Sequence, residues 1–130
     1  MMSAYGEILD YVDKKRIMES MLDEHTKQFR GMSFETDYAE CKSFYSYDRW
    51  IADYMKDTGI LVIDLDWFDC SATTRCQFSK WLNTNGYVPY TTVKRVAKRV
   101  RRKLERKWLP IPTGEVFLDD VTGTKFMFLF

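Results

Sequence analysis

Three aspartates, Asp64, Asp66 and Asp69, lie at the end of a stretch in which apolar and polar residues alternate. Side chains two positions apart in a β-strand point to the same face, so Asp64 and Asp66 are expected to be neighbours. Convergent carboxylates can hold Mg²⁺, as a metal-dependent nuclease requires. The sequence identifies no further ligands, however, and a half-exposed strand with a polar outer face explains the alternation more simply. We therefore predict no enzyme, and keep a Mg²⁺-dependent nuclease as a third hypothesis.

The other reactive side chains form no recognisable catalytic or metal-binding pattern. His25 is the only histidine and, with Glu24 beside it on a predicted helix, is expected at the surface or its boundary. Cys70 and Cys76 are separated by five residues without a CxxC, so neither a zinc site nor another cofactor is expected. Together with Cys41 they are predicted to be small buried thiols. An odd number of cysteines without a signal peptide favours a reducing cytosol over a disulfide framework.

A hydroxyl-rich segment, residues 71–75, precedes an apolar helical pattern. A helix start can bind phosphate on its free N–H groups, and Arg75 would add a positive charge. Ser71 or Thr73 is equally a standard N-cap, which needs no ligand. The cap is the preferred interpretation, and Arg75 is kept as a candidate contact for an anionic partner.

The clearest signal for a partner is a basic amphipathic helix predicted over residues 93–108. The segment has nine basic residues and one acid, a net charge of +8, whereas the remaining chain has eleven basic and eighteen acidic residues, a net charge of −7. The near-neutral total of +1 therefore hides a strong asymmetry. The cations are Lys94, Arg95, Lys98, Arg99, Arg101, Arg102, Lys103, Arg106 and Lys107. Steps of three and four form an apolar stripe for docking: Val93, Val96, Ala97, Val100, Leu104 and Trp108.

This charge density is costly without a partner. Like charges at i,i+4, such as Lys94 and Lys98, each cost a few tenths of a kcal/mol, and cations in the first turn oppose the helix dipole. Duplex nucleic acid would reward a line of cations. Because the helix has no Asn or Gln for reading adenine, phosphate contact or shape recognition is expected. An ordinary solvated face is the alternative, and the short apolar stripe disfavours a membrane-surface helix.

The periodicity predicts the elements that position these residues. A helix or helix pair is expected over residues 5–30, a loop over 32–42, and a β-hairpin with strands 44–52 and 61–67 around a turn at 56–59. A helix follows, from the Ser71 or Thr73 cap to Asn85-Gly86. Thr91 or Thr92 is expected to cap the basic helix, which prolines in 110–112 stop. A second hairpin pairs residues 116–118 with 126–130.

These elements predict one α+β domain spanning residues 1–130. It has an N-terminal helix or helix pair, a small antiparallel sheet from two hairpins, and two packed helices that form one layer on the sheet. The last strand is apolar on both faces, so it is either central in the sheet or covered by a partner, which makes a homodimer through this strand plausible. The chain has no stretch of the roughly 20 apolar residues that span a bilayer, so a soluble cytoplasmic protein is expected.

Residues 44–82 resemble a pattern found in small proteins of phages and mobile elements. The shared features are the Phe-Tyr-Ser-Tyr strand at 44–47 with Ile51-Ala52, the strand at 61–63, and Trp-Phe-Asp-Cys-Ser-Ala-Thr-Thr-Arg at 67–75, followed by an apolar helix. The family often has Tyr-Ser-x-Thr-Thr and then a basic residue with His. Here Cys70 replaces the Tyr and Cys76 replaces the His, so no role of that His is transferred. The resemblance implies a strand–Thr-Thr–helix unit and a viral origin, with no activity attached.

Two non-enzymatic functions follow. The first is a phage or mobile-element accessory protein that binds nucleic acid, with Tyr87 and Tyr90 stacking on bases and phosphate contacts from Arg95, Lys98, Arg99, Arg102, Lys103 and Arg106. The second is a protein-binding inhibitor of a host defence complex such as a CRISPR effector, in the host cytoplasm. There the cations, or the acidic remainder acting as a nucleic-acid mimic, would occupy the site of an acidic or nucleic-acid-binding protein.

Overall fold

The computed structural model of the protein describes residues 26–29, 31–106 and 115–130. Within them the chain forms seven strands and two helices. In chain order they are β1 (Thr26–Gln28), β2 (Ser33–Asp37), β3 (Cys41–Ser46), β4 (Arg49–Met55), β5 (Ile60–Asp64), α1 (Ala72–Thr84), α2 (Tyr90–Arg106), β6 (Val116–Leu118) and β7 (Lys125–Leu129).

All seven strands belong to one mixed sheet with the order β1-β2-β3-β4-β5-β7-β6. The first five strands pair with their chain neighbours in antiparallel fashion. β7 then pairs in parallel with β5, and β6 pairs antiparallel to β7 at the outer edge. Parallel neighbours need a long crossover connection, which here contains both helices.

The predicted small antiparallel sheet from two hairpins is therefore wrong. The sheet is larger because residues 26–28, predicted as the end of a helix, form β1, and residues 33–37 of the predicted loop 32–42 form β2. The single strand predicted over 44–52 is divided into β3 and β4, since the chain reverses at Tyr47 with a φ of 59°. Residues 5–25 of the helix or helix pair predicted over 5–30 lie outside the described residues.

Several local signals predicted the ends of elements. Gly59, with a φ of 72°, closes the turn between β4 and β5, and its N–H donates to the Met55 carbonyl at 2.7 Å. Ser71 caps α1, because its hydroxyl accepts a hydrogen bond from the Thr74 N–H at 3.1 Å. Asn85 ends α1, and Gly86 follows with a φ of 72°.

The start of the basic helix differs from the prediction. α2 begins at Tyr90, so Thr91 and Thr92 lie inside its first turn instead of capping it. The Pro89 carbonyl accepts hydrogen bonds from the N–H groups of Thr92 at 3.0 Å and Val93 at 3.4 Å.

The core lies between the sheet and the two helices. Phe44, Ala52, Leu61, Ile63, Phe126 and Phe128 share the helix-covered face through the register of β3, β4, β5 and β7, and all are fully buried or nearly so. The helices add Phe78, Trp81, Leu82, Val93, Val96, Ala97 and Val100 to the same core. Trp67, the last residue of the strand predicted over 61–67, lies beyond the end of β5 and is 40% exposed. The Arg49 guanidinium lies 4.0 Å from its ring centroid.

The apolar strand β7 lies inside the sheet, between β5 and the edge strand β6. It pairs with β5 along its whole length and with β6 over Lys125–Met127. This position explains why both faces of the strand are apolar, so they no longer indicate a homodimer.

Candidate anion-binding surface on the basic helix

One side of α2 is fixed to the domain by apolar side chains. Val93, Val96, Ala97 and Val100 are buried to 1% exposure or less, and Leu104 packs against their cluster. Their spacing of three and four residues places them on one face of the helix. The predicted apolar stripe is confirmed at these positions, whereas Trp108 lies outside the described residues.

Two predicted contact residues are held by carboxylates of the protein itself. Arg95 donates to Asp119 at 2.6 Å, and the Asp119 side chain is only 3% exposed. Arg101 donates to both carboxylate oxygens of Asp69, at 3.0 and 3.1 Å, and to the Leu65 carbonyl at 2.5 Å. These hydrogen bonds fix both guanidinium groups and attach α2 to the domain. The two arginines are therefore not available as contacts for a partner.

Asp119 makes the stability of this anchor depend on pH. Hydrogen bonds from the Thr122 hydroxyl, at 2.6 Å, and from Arg95 hold the pKa of the Asp119 carboxyl below its usual value. A carboxyl whose pKa is lower in the folded protein stabilises the fold above its unfolded pKa of about 4, and this contribution is lost as the pH falls through the folded pKa.

We expect Asp119→Asn to lower the melting temperature at pH 7 and to flatten the loss of stability below about pH 4. Thermal unfolding of both proteins between neutral and acid pH measures this difference. Asp120→Asn, at the exposed neighbouring position, is the matched control. Parallel stability curves for wild type and Asp119→Asn would refute the assignment.

Four cations of α2 form an open surface, which we call the cationic face: Lys94, Lys98, Arg99 and Arg102. All four are exposed, and none makes an ion pair with any described residue. Lys94, Lys98 and Arg102 follow each other at intervals of four residues, so they form one row with steps of about 6 Å along the helix. Lys103 is also exposed, and its ammonium lies 5.2 Å from the Phe117 ring centroid. The Arg106 side chain and Lys107 lie outside the described residues.

The two tyrosines predicted to stack on bases are engaged inside the domain. Tyr87 stacks on Tyr54 with a centroid distance of 4.2 Å and contacts Trp81 edge-on. Tyr90 packs against Phe68 and Phe78, and its buried hydroxyl has no hydrogen-bond partner among the described residues. Burial raises the pKa of both phenols. The prediction that they stack on bases beside the cationic face is therefore not supported.

Arg75 and the start of α1 also have internal partners. The Arg75 guanidinium donates to the Asp69 carbonyl at 3.2 Å, although the side chain is exposed. Ser71, besides capping the helix, lies 3.1 Å from the Thr74 hydroxyl. The helix start is thus a cap with its own hydrogen bonds, in agreement with the preferred interpretation.

The carboxylates considered for a nuclease are not assembled as a metal site. Asp69 is bound to Arg101, and Asp64 forms an ion pair with Arg49 at 3.7 Å. Burial raises the pKa of the Asp64 carboxyl, and the Arg49 charge partly opposes this. Among the described residues, no group of three or more His, Cys, Asp or Glu side chains is placed to hold a metal ion. His25 lies outside the described residues.

The cysteines are free thiols, and their predicted burial is wrong. Cys70 and Cys76 are exposed, whereas Cys41 is half-buried. Cys70 lies in the loop that leads to α1, and Cys76 lies on the exposed face of α1. No helix in the described parts of the chain is both long and apolar enough to cross a bilayer.

Sequence reasoning missed the acidic residues that organise the structure. Glu35 is 2% exposed and accepts hydrogen bonds from the Trp81 indole at 2.8 Å and the Asn85 amide at 3.2 Å. Nothing in the sequence around Glu35 indicated this, because the segment was predicted as a loop. Asp119 did carry a signal, since an Asp three residues before a Thr is typical of a turn closed by side-chain hydrogen bonds.

Comparison with known proteins gives no relative. No protein-family model, no curated protein and no solved structure matches the chain significantly. The resemblance to small phage and mobile-element proteins stays a prediction.

Proposed function

We propose that the protein binds nucleic acid through the cationic face of α2 by contacting phosphates and without reading the base sequence. The observation that supports this most directly is that α2 has two sets of cations, one paired inside the domain and one exposed without an ion pair among the described residues. Arg95 and Arg101 are paired with internal carboxylates, whereas the exposed row of Lys94, Lys98 and Arg102 has no ion pair among the described residues.

Phosphate contact is favoured over base reading by the chemistry of the exposed side chains. The cationic face contains Lys and Arg alone, and the neighbouring Tyr87 and Tyr90 are packed against other rings. Arg can also read guanine, but the helix has no Asn or Gln for adenine. Contacts to phosphate are independent of sequence and strongly dependent on salt.

A lipid surface fits the helix less well than a polyanion. Insertion into a bilayer interface needs an available apolar face. The apolar residues of α2, from Val93 to Val100, are buried in the core of the domain, so what α2 offers to a partner is charge. The regularly spaced phosphates of a nucleic acid can form an ion pair with each exposed cation of this surface.

The first test is binding as a function of salt. Fluorescence anisotropy with a labelled blunt DNA duplex should show affinity falling roughly 100-fold between 50 and 200 mM salt if four cations contact phosphates. Scrambled duplexes of equal length should bind equally well. Affinity that does not change with salt would contradict the proposal.

A pull-down from host lysate with and without nuclease completes the test. Under the proposal, captured material is nucleic acid and disappears after nuclease treatment. A protein partner that survives nuclease, together with no binding to the purified duplex, would instead identify the protein as an inhibitor of a host complex.

A further inference from the structure

An open cleft lies at the end of the sheet where three turns meet. It has a volume of about 490 Å³ and is bordered by the β4–β5 turn, the link between α1 and α2, and the β6–β7 turn. Each turn contributes a glycine with a φ between 72° and 74°: Gly59, Gly86 and Gly123. A Cβ added to Gly86 or Gly123 would meet no atom within 4 Å, so these turns border open space.

One wall of the cleft is aromatic. Tyr54 and Tyr87 stack with an interplanar angle of 17° and form one side. Leu61 and Val88 lie behind this side but are buried, whereas the Pro89 ring is exposed to the cleft. The Tyr87 phenol is a neutral hydroxyl at physiological pH, as for any tyrosine with a pKa of about 10, and burial raises its pKa further. These walls suit a flat ring that can pack against apolar surface and reach a phenol edge.

The rim of the cleft is polar with one positive charge. Thr58 accepts a hydrogen bond from the Ile60 N–H at 3.4 Å, which leaves its own proton available to donate. The Thr124 hydroxyl and the exposed Lys125 ammonium make no hydrogen bond or ion pair with the described part of the chain. The residues that line the cleft include Lys125 and no Asp or Glu.

The volume of the cleft and the charge of its rim indicate which class of ligand it can bind. A volume of about 490 Å³ lies within the range of sites for small organic ligands and is larger than a bare phosphate needs. The rim lacks acids and offers an ammonium and hydroxyls, so it favours an anion with further hydrogen-bonding groups. We propose that this cleft binds a mononucleotide, either free or as the unpaired terminal nucleotide of a strand, with Lys125 facing its phosphate.

Amide NMR tests the proposal, because each of the three turns has a glycine N–H as a reporter. Adding AMP should shift the signals of Gly59, Gly86 and Gly123, and adenosine should bind roughly tenfold more weakly because it lacks the phosphate that Lys125 contacts. Lys125→Glu should weaken AMP binding at least as much. Thr58→Trp, at an exposed position on the rim, should block the cleft and abolish the shifts.

A short single-stranded oligonucleotide with a 5′-phosphate distinguishes the two sources. Both affinities are taken from the glycine shifts in the Lys98→Glu/Arg102→Glu variant, because the cationic face of the wild type would also hold the oligonucleotide. In that variant, tighter binding of the oligonucleotide than of AMP identifies a strand end as the occupant, and the reverse identifies a free nucleotide. Glycine signals that neither probe moves at millimolar concentration, or shifts that persist in both Lys125→Glu and Thr58→Trp, would overturn the proposal.

The proposal for the cleft and the proposal for the cationic face can be tested separately. Lys98→Glu/Arg102→Glu should leave the AMP-induced glycine shifts unchanged, whereas Thr58→Trp should leave blunt-duplex binding unchanged. If the wild-type protein does not bind the duplex but AMP still shifts its glycine signals, only the proposed role of α2 is rejected.

Discussion

Replacing Lys98 and Arg102 together by Glu is expected to lower the affinity for a blunt, unphosphorylated DNA duplex on the order of 100-fold at constant moderate salt, because each reversal removes a phosphate contact and adds a repulsion. Both residues are exposed and belong to the same row on α2. The slope of log affinity against log salt should also fall by about two. Fluorescence anisotropy at several salt concentrations measures both quantities.

The control is Lys80→Glu, which reverses an exposed cation on α1. It should leave affinity for the blunt duplex within about twofold, because Lys80 is not part of the cationic face of α2. Circular dichroism should show both variants folded, since none of the three residues is buried. A loss of log affinity in the control at least half as large as in the double variant would mean that binding depends on net charge alone, because the control reverses one charge and the test variant reverses two. The cationic face would then lose its assigned role.

Replacing Trp81 by Ala is expected to destabilise the protein by about 3–5 kcal/mol, a large fraction of the 5–15 kcal/mol typical of a domain. Trp81 is fully buried, stacks on Phe44 at 5.2 Å and on Phe78 at 6.0 Å, and donates to the buried Glu35. Its removal leaves a cavity and a carboxylate with one fewer donor. Denaturant unfolding followed by far-UV circular dichroism gives the free energy of unfolding.

Two further variants separate packing from hydrogen bonding at this site. Trp81→Phe retains a ring but loses the indole N–H, so it should cost about 1–3 kcal/mol because Glu35 stays buried. Asn83→Ala, at an exposed position on the same helix, should change stability by less than about 0.5 kcal/mol. A Trp81→Ala protein as stable as Asn83→Ala would show that the core does not depend on this indole.

The elements that the sequence predicted well are those with strong local signals. The apolar stripe of α2, the Ser71 cap and the Asn85-Gly86 end of α1 are encoded by side chains close to one another in the chain. The strands β1 and β2 were missed because residues 33–37 contain one large apolar residue, Phe34, so neither period is visible. β2 becomes a strand through pairing with β3, and β1 through pairing with β2, and such tertiary pairing overrides local propensity.

The same distinction explains what could be predicted of the candidate site. The positions of cations on α2 follow from helical spacing alone. Which of them are open does not, because Asp69 and Asp119 reach Arg101 and Arg95 from distant parts of the chain. The cleft was equally inaccessible to sequence reasoning, since its three glycine turns are brought together by the order of strands in the sheet.

The position of β7 next to β5 has a consequence for how the chain reaches its native state. Ile60 pairs with Lys125, and both helices and β6 separate the two strands in sequence. Closing such a long loop costs conformational entropy before the hydrogen bonds between β5 and β7 can form, and this makes folding slow. We therefore expect folding rates closer to those of non-local β proteins than to those of helical bundles. Until β7 pairs with it, β5 presents an unpaired apolar edge to solvent. The nascent or refolding chain can therefore aggregate through a strand that is interior in the native sheet.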